Sequence, residues 1–188
     1  MKKILPVFGA LLTLALAACS DINRQATPVQ LLMTVTSQPI SREDLNGGTG
    51  CSGNIATVNI ESRILNSNVS NPGLLDVRIR RYRVTYSRTD GGHLVPAPYE
   101  RSLDFLVAAG SATNSVLFHL ADFGDIFNQA PFVALLPQNG GRDPETGLKV
   151  VKMNINLQIF GDTLAGDAVT ASTVIPLDVC FDCGGCQP

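Results

Sequence analysis

Four cysteines carry the chain's strongest chemical potential: Cys51 and, close to the C-terminal end, Cys180, Cys183 and Cys186. The last three form a C-x-x-C-x-x-C run, separated by Phe181-Asp182 and Gly184-Gly185. In an oxidising compartment four thiols make two disulfides, with three possible connectivities. Four thiolates also suit tetrahedral zinc or an iron–sulfur cluster, and a C-x-x-C pair suits thiol–disulfide exchange. Spacing weighs against both of these. Structural zinc is usually held by two separated C-x-x-C pairs, whereas here a triplet stands with one distant cysteine. Redox pairs sit at a helix N-terminus that stabilises the thiolate, and the sequence after Cys186 does not form a helix. Covalent haem needs C-x-x-C-H, which does not occur. Structural disulfides are the expectation, and metal or redox chemistry on the same four cysteines is the alternative.

The other reactive side chains form no catalytic constellation. His93 follows a Gly-Gly turn and His119 takes an outward strand position, neither with a neighbouring ligand at metal spacing. Ser, His and Asp occur, but no G-x-S-x-G frames a nucleophile. Gly47-Gly48 and Gly140-Gly141 precede no helix that would cradle a phosphate. No motif points to paired carboxylates. Arg78, Arg80, Arg81, Arg83 and Arg88 crowd one strand. The first four make a candidate patch for an anionic partner such as an acidic glycan or lipid headgroup. The plainer expectation is a solvated sheet face that discourages edge pairing. The chain is read as a non-enzyme.

The compartment follows from the N-terminus. Lys2 and Lys3 precede an apolar run from Ile4 to Ala18, which falls short of the ~20 residues of a bilayer-spanning helix, so it reads as a signal peptide. Leu16-Ala17-Ala18-Cys19 resembles the lipobox of bacterial lipoproteins. The resemblance implies cleavage before Cys19 and lipid on its sulfur and new amino terminus. It implies no other cofactor, and a membrane partner reached through the lipid. Ser20 after the lipidated cysteine implies the outer membrane in diderm bacteria, against which Asp21 weighs. The expected organisation is signal peptide 1–18, lipidated tether 19–27 and one domain over 28–188.

Cleavage leaves 170 residues, with 12 basic against 16 acidic ones once Lys2 and Lys3 are gone, a net charge of −4. That length suits one core, and that charge is wrong for nucleic acid. Charged residues are only 16% of the chain and hydrophobic ones 45%, which excludes disorder.

The elements that must position these residues are strands. Apolar residues alternate with polar ones in seven runs: Val29–Val35, Ala56–Ile64, Asp76–Thr89, Leu103–Val107, Val116–Leu120, Val151–Ile159 and Val169–Val179. In the third, Val77 and Ile79 share one parity and Tyr82, Val84 and Tyr86 the other, which predicts a β-bulge near Arg80-Arg81. Pro176 takes an outward position, which suits an edge strand. Ser37–Gly53, Asn66–Gly73 and Gln138–Gly147 read as loops, Gly161–Gly166 as a turn, and Asp122–Pro137 as a crossover with about one helical turn. Seven half-buried strands with little helix outside the signal peptide make an all-β, two-sheet, immunoglobulin-like sandwich. Tyr82-Arg83-Val84-Thr85-Tyr86 resembles the alternating aromatics of fibronectin type III domains. The Trp of that family and the immunoglobulin Cys-Trp-Cys pattern are missing.

If the seven strands alternate in direction, the second begins where the seventh finishes. Cys51 then lies near Cys180, at the end opposite the lipid. The expectation is one bridge from Cys51 to the triplet and a short-loop bridge between the other two. The overall reading is a lipid-anchored envelope module, binding or structural, whose loops Ser37–Gly53 and Gln138–Gly147 meet an envelope protein or glycan.

Overall fold

The protein was examined as a computed structural model, which describes residues 27–37, 42–46, 55–65, 70–110, 114–121 and 128–184. Among the described residues eight strands form two sheets. The three-stranded sheet has the order β1 (Val29–Ser37), β3 (Ile55–Ile64), β6 (Asn114–His119). The five-stranded sheet runs β2 (Arg42–Asp44), β8 (Ala168–Cys180), β7 (Val150–Thr163), β4 (Val77–Arg88), β5 (Tyr99–Val107). All pairs are antiparallel except β2 with β8. All seven expected strands are present, and the fold is the expected two-sheet β-sandwich. Relative to a constant-type immunoglobulin domain, the fourth long strand, β5, lies beside the third rather than on the opposite sheet.

Alternation decides which side chains face inward. Ala56, Val58 and Ile60 of β3 meet Val151, Met153, Ile155, Leu157 and Ile159 of β7 in the core, and all are buried. Tyr82 is packed edge-on against Phe118 at 5.2 Å and Tyr99 at 6.0 Å, an arrangement that suits the ring quadrupoles. The Tyr86 hydroxyl donates to the buried Leu120 carbonyl at 2.8 Å, tying the two sheets together.

The predicted bulge is present. The registers of β4 with both neighbours shift between Ile79 and Arg81. Both Arg80 and Arg81 therefore face solvent, while Ile79 and Tyr82 on either side face inward. Gly161 sits opposite Ile79, and a Cβ there would lie 2.5 Å from the Arg78 carbonyl oxygen. This close approach corrects the expected turn at Gly161–Gly166. A residue without a side chain continues the strand past the bulge to Thr163, and the chain turns over Leu164–Gly166.

Two further corrections concern loops. The expected loop Ser37–Gly53 contains β2, three residues long, whose Asp44 pairs with Cys180. The crossover holds two short 3-10 turns, Phe132–Leu135 and Pro137–Asn139, the first burying Phe132 and Leu135 in the core. Residues 122–127 of the crossover lie outside the described residues, as do 1–26, on which the expected signal peptide and Cys19 fall. Among the described residues no helix is long and apolar enough to cross a membrane.

Pro176 fits its place on the edge. The Cys180 carbonyl turns away from β7 to accept from the Leu45 N–H at 2.9 Å. Strand residues of one parity send their backbone groups to one side, so Pro176 faces that same side. Among the described residues no strand pairs there below Asp178.

Candidate functional site

The chain's most constrained polar cluster lies at the end of the sandwich where β4 finishes. Arg88 continues the inward parity of Tyr82, Val84 and Tyr86, so its guanidinium is driven into the fold, where its side chain is 1% exposed. A buried cation demands counter-charges, and the two loops at this end supply them. Arg88 grips Asp90 with both arms of a fork, Nε to Oδ1 at 2.7 Å and Nη2 to Oδ2 at 2.8 Å. Nη2 also donates to Asp143 Oδ2 at 2.9 Å, Nη1 donates to the Leu94 carbonyl at 3.3 Å, and Glu145 stands 3.7 Å from Nη1.

The carboxylates are themselves held by backbone. Asp90 accepts from the N–H groups of Gly92 and Lys152, at 3.2 and 2.9 Å. Asp143 accepts from the Thr146 N–H and hydroxyl, at 2.9 and 2.6 Å. Glu145 reaches across to accept from the N–H groups of His93 and Leu94, at 2.8 and 2.7 Å. Burial alone would raise the Asp90 carboxyl, but Arg88 and the two N–H groups outweigh it and bring it down to about 2. Asp143 is lowered in the same way: burial opposes the shift, and Arg88 and Thr146 prevail. Gly92 lies flat on the guanidinium, where an added Cβ would sit 2.5 Å from Arg88 Cζ.

This cluster latches the segment after β4 to the loop before β7. It corrects the reading of Gln138–Gly147 as simply exposed, since Asp143 is buried and the loop is pinned at its centre. Around the latch, His93, Leu94, Arg142, Leu148 and Lys149 remain exposed, on backbone fixed from beneath. Arg88 was visible in the sequence as one of five arginines on the strand. Its burial corrects the expectation that it shares the solvated face of the other four, and the parity it shares with Tyr82, Val84 and Tyr86 was the signal that could have set it apart.

The described members of the cysteine cluster, Cys180 and Cys183, lie at the same end. Cys180 and Cys183 form a disulfide across 6.1 Å between Cα atoms, which is a short-loop bridge of the expected kind. Asp44, buried on β2, holds this loop by its backbone. Its Oδ1 accepts from the N–H groups of Asn46 and Asp182, at 3.0 and 2.8 Å, and its Oδ2 from that of Cys183 at 3.0 Å. Cys51 and Cys186, and so the second expected bridge, lie outside the described residues. Asp44 was not anticipated, because a three-residue strand inside a loop leaves no periodic signal.

The arginine patch is largely occupied by its own sheet. Arg78 pairs with Asp104 at 2.7 Å through Nε, Arg80 with Asp162 at 2.8 Å and Arg81 with Glu100 at 2.6 Å. Arg81 also covers the Phe160 ring at 4.2 Å, and Arg83 is exposed beside them. These pairs are solvated and individually weak, but they cancel most of the field an anion would feel. That matches the plainer expectation of a solvated sheet face. His93 contributes its backbone to the latch, and His119 is half-buried on β6. The chain matches no protein-family model, no curated protein and no solved structure.

Proposed function

We propose that this chain is a bacterial envelope lipoprotein whose sandwich carries a non-catalytic binding surface at the end far from the membrane. The observation that carries the reading is the latch. Two loops from different strands are locked together by buried, hydrogen-bonded charge, which pre-organises a surface and lowers the entropy lost on binding. The reactive groups beneath that surface are consumed in structure: Arg88, Asp90 and Asp143 hold one another, and Asp44 holds the disulfide loop. Lipidation of Cys19 rests on the resemblance of Leu16–Cys19 to a lipobox. An envelope protein or glycan is the partner class that suits this placement.

Photo-crosslinking groups placed at Leu94 and Leu148 in living cells should give a discrete adduct, and the same group at Thr170 on β8 should give none. Absence of any adduct from both platform positions sinks the binding role. In the same cells, Cys19→Ser should move the protein out of the membrane fraction, and retention there sinks the anchor.

The cysteines separate this reading from a metal or redox lipoprotein. Exported protein denatured without reductant should show no free thiols and no bound metal. Peptide mapping should join Cys51 to Cys186 beside the Cys180–Cys183 bridge. Stoichiometric metal with free thiols would reverse the assignment.

A further inference from the structure

We propose that the end of the sandwich opposite the latch is a second interaction surface, one that rests directly on a zwitterionic lipid bilayer through exposed leucines. The proposal rests on the lipid-anchor reading for its occupant, and on the structure for the surface. Eight large aliphatic side chains are exposed among the described residues, and three of them gather where the described chain begins: Leu65 (61%), Leu74 (47%) and Leu164 (52%).

Backbone hydrogen bonds place these three on one end. The Leu65 N–H donates to the Pro28 carbonyl at 2.8 Å, at the foot of β1. The Leu164 N–H donates to the Asp76 carbonyl at 2.9 Å, and the Ala165 N–H to the Leu74 carbonyl at 3.0 Å, so the 3-10 turn before β4 and the β7–β8 turn are laced together. Asp76 links that pair back to Leu65. Its side chain accepts from the Ala109 N–H at 2.8 Å, and the next residue, Gly110, donates to the Ser62 carbonyl at the end of β3.

Tether length names the occupant. Thr27 stands eight positions after Cys19, and a chain of eight such steps spans at most about 28 Å fully extended. A lipid on Cys19 therefore keeps this end within that distance of the bilayer, with no loop or domain between. Charge selects the kind of surface. Among the described residues, the ionic groups at this end are either paired, as Arg63 with Glu61 and Arg80 with Asp162, or acidic and hydrogen-bonded, as Asp76 by the Ala109 N–H and Asp167 by the Thr163 hydroxyl. No cationic excess is available for anionic headgroups, so apolar side chains entering the interface of a zwitterionic bilayer supply the attraction.

The chain contains no Trp, so a single introduced Trp reports its own surroundings. The lipidated full chain carrying Leu74→Trp or Leu164→Trp would be placed in phosphatidylcholine vesicles with and without brominated acyl chains. Leu94→Trp is the far-end reference, because the 14 residues of β7 separate the two ends by roughly 40 Å. Bromine should quench about half or more of the emission at positions 74 and 164, as expected for side chains lying within the interface, and almost none at 94. No quenching at 74 and 164 overturns the proposal, and so does equal quenching at all three. Concentration-dependent emission at 74 in the Cys19→Ser chain without vesicles assigns the leucines to a second copy and also overturns it. Matched thermal transitions verify folding, and Leu65→Trp replaces a variant that fails. Intact mass reads the anchor separately: a Cys19 without lipid defeats the anchor reading, while quenching by added vesicles still decides the surface.

Discussion

Replacing Arg88 by Met should lower stability at neutral pH by about 3–5 kcal/mol, the cost of leaving buried charge without its partner. Asp90 and Asp143 would be stranded, with side chains 3% and 0% exposed. In a domain of this size the loss corresponds to a melting temperature lower by roughly 10 °C. Its pH dependence distinguishes it from a simple packing defect. In the native chain both carboxyls titrate below their unfolded values, so their contribution is present above about pH 4. That contribution is lost as pH falls toward about 2, the folded value of Asp90. Without Arg88 the burial of both carboxyls is opposed only by the Gly92, Lys152 and Thr146 donors, so both groups shift upward. Protonation then relieves the variant as the solution is acidified. The stability gap between the two proteins should narrow steadily from pH 7 to pH 4. A gap that stays constant across that range, or one below about 1 kcal/mol at pH 7, would show that the latch contributes little. Changing Arg88, Asp90 and Asp143 together to apolar residues of similar volume should recover much of the loss, because it removes the stranded charge along with the pair.

Gly161→Ala is the second large effect, and it comes from backbone rather than charge. The new methyl would meet the Arg78 carbonyl oxygen at 2.5 Å and Ile79 Cδ1 at 3.0 Å. A flexible side chain could step aside, but a carbonyl in the ladder cannot move without shifting β4 against β7. Overpacking of this kind costs about 3 kcal/mol, and here it should also open the bulge. The expected signature is a lower urea midpoint together with faster exchange of amide protons around Ile79–Arg81. Gly166→Ala is a useful contrast, since a Cβ there meets nothing within 4 Å and its cost comes only from a left-handed φ of 99°. If both glycines respond equally, the close-approach explanation is wrong.

Much of the architecture could be read before any coordinates, because a period of two survives wherever one face of a strand is buried. The phase change between Ile79 and Tyr82 was enough to locate the bulge to within a residue. What escaped was short or non-local. β2 is three residues long and parallel to a strand more than a hundred positions away, so no periodicity marks it. Gly161 looked like the start of a turn because a glycine needed for contact and one needed for a positive φ are the same letter. The latch escaped for a related reason. Its carboxylates lie on two loops separated by half a hundred residues, and only the parity of Arg88 hinted that counter-charges must converge. The arginines of β4 illustrate the converse. Their crowding was obvious, but their partners on β5 and β7 are visible only once the sheet is assembled.

The proline on the open side of β8 has a consequence for molecules held in a membrane plane. Under the proposed lipid anchor, copies would diffuse in two dimensions and collide far more often than the same number in bulk, and an unbroken uncharged strand edge would template one copy onto the next. From Ala168 to Leu177 that strand carries no charge to forbid such growth. Pro176 removes one N–H from the row, and β2 occupies the remainder above it. A visiting strand therefore finds only Ala168–Val174, a stretch beside which β1 of the other sheet already packs and half of whose backbone groups belong to β7. On the proposed anchor, crowding would then proceed without polymerisation, and Pro176→Thr is the change that would remove the guard.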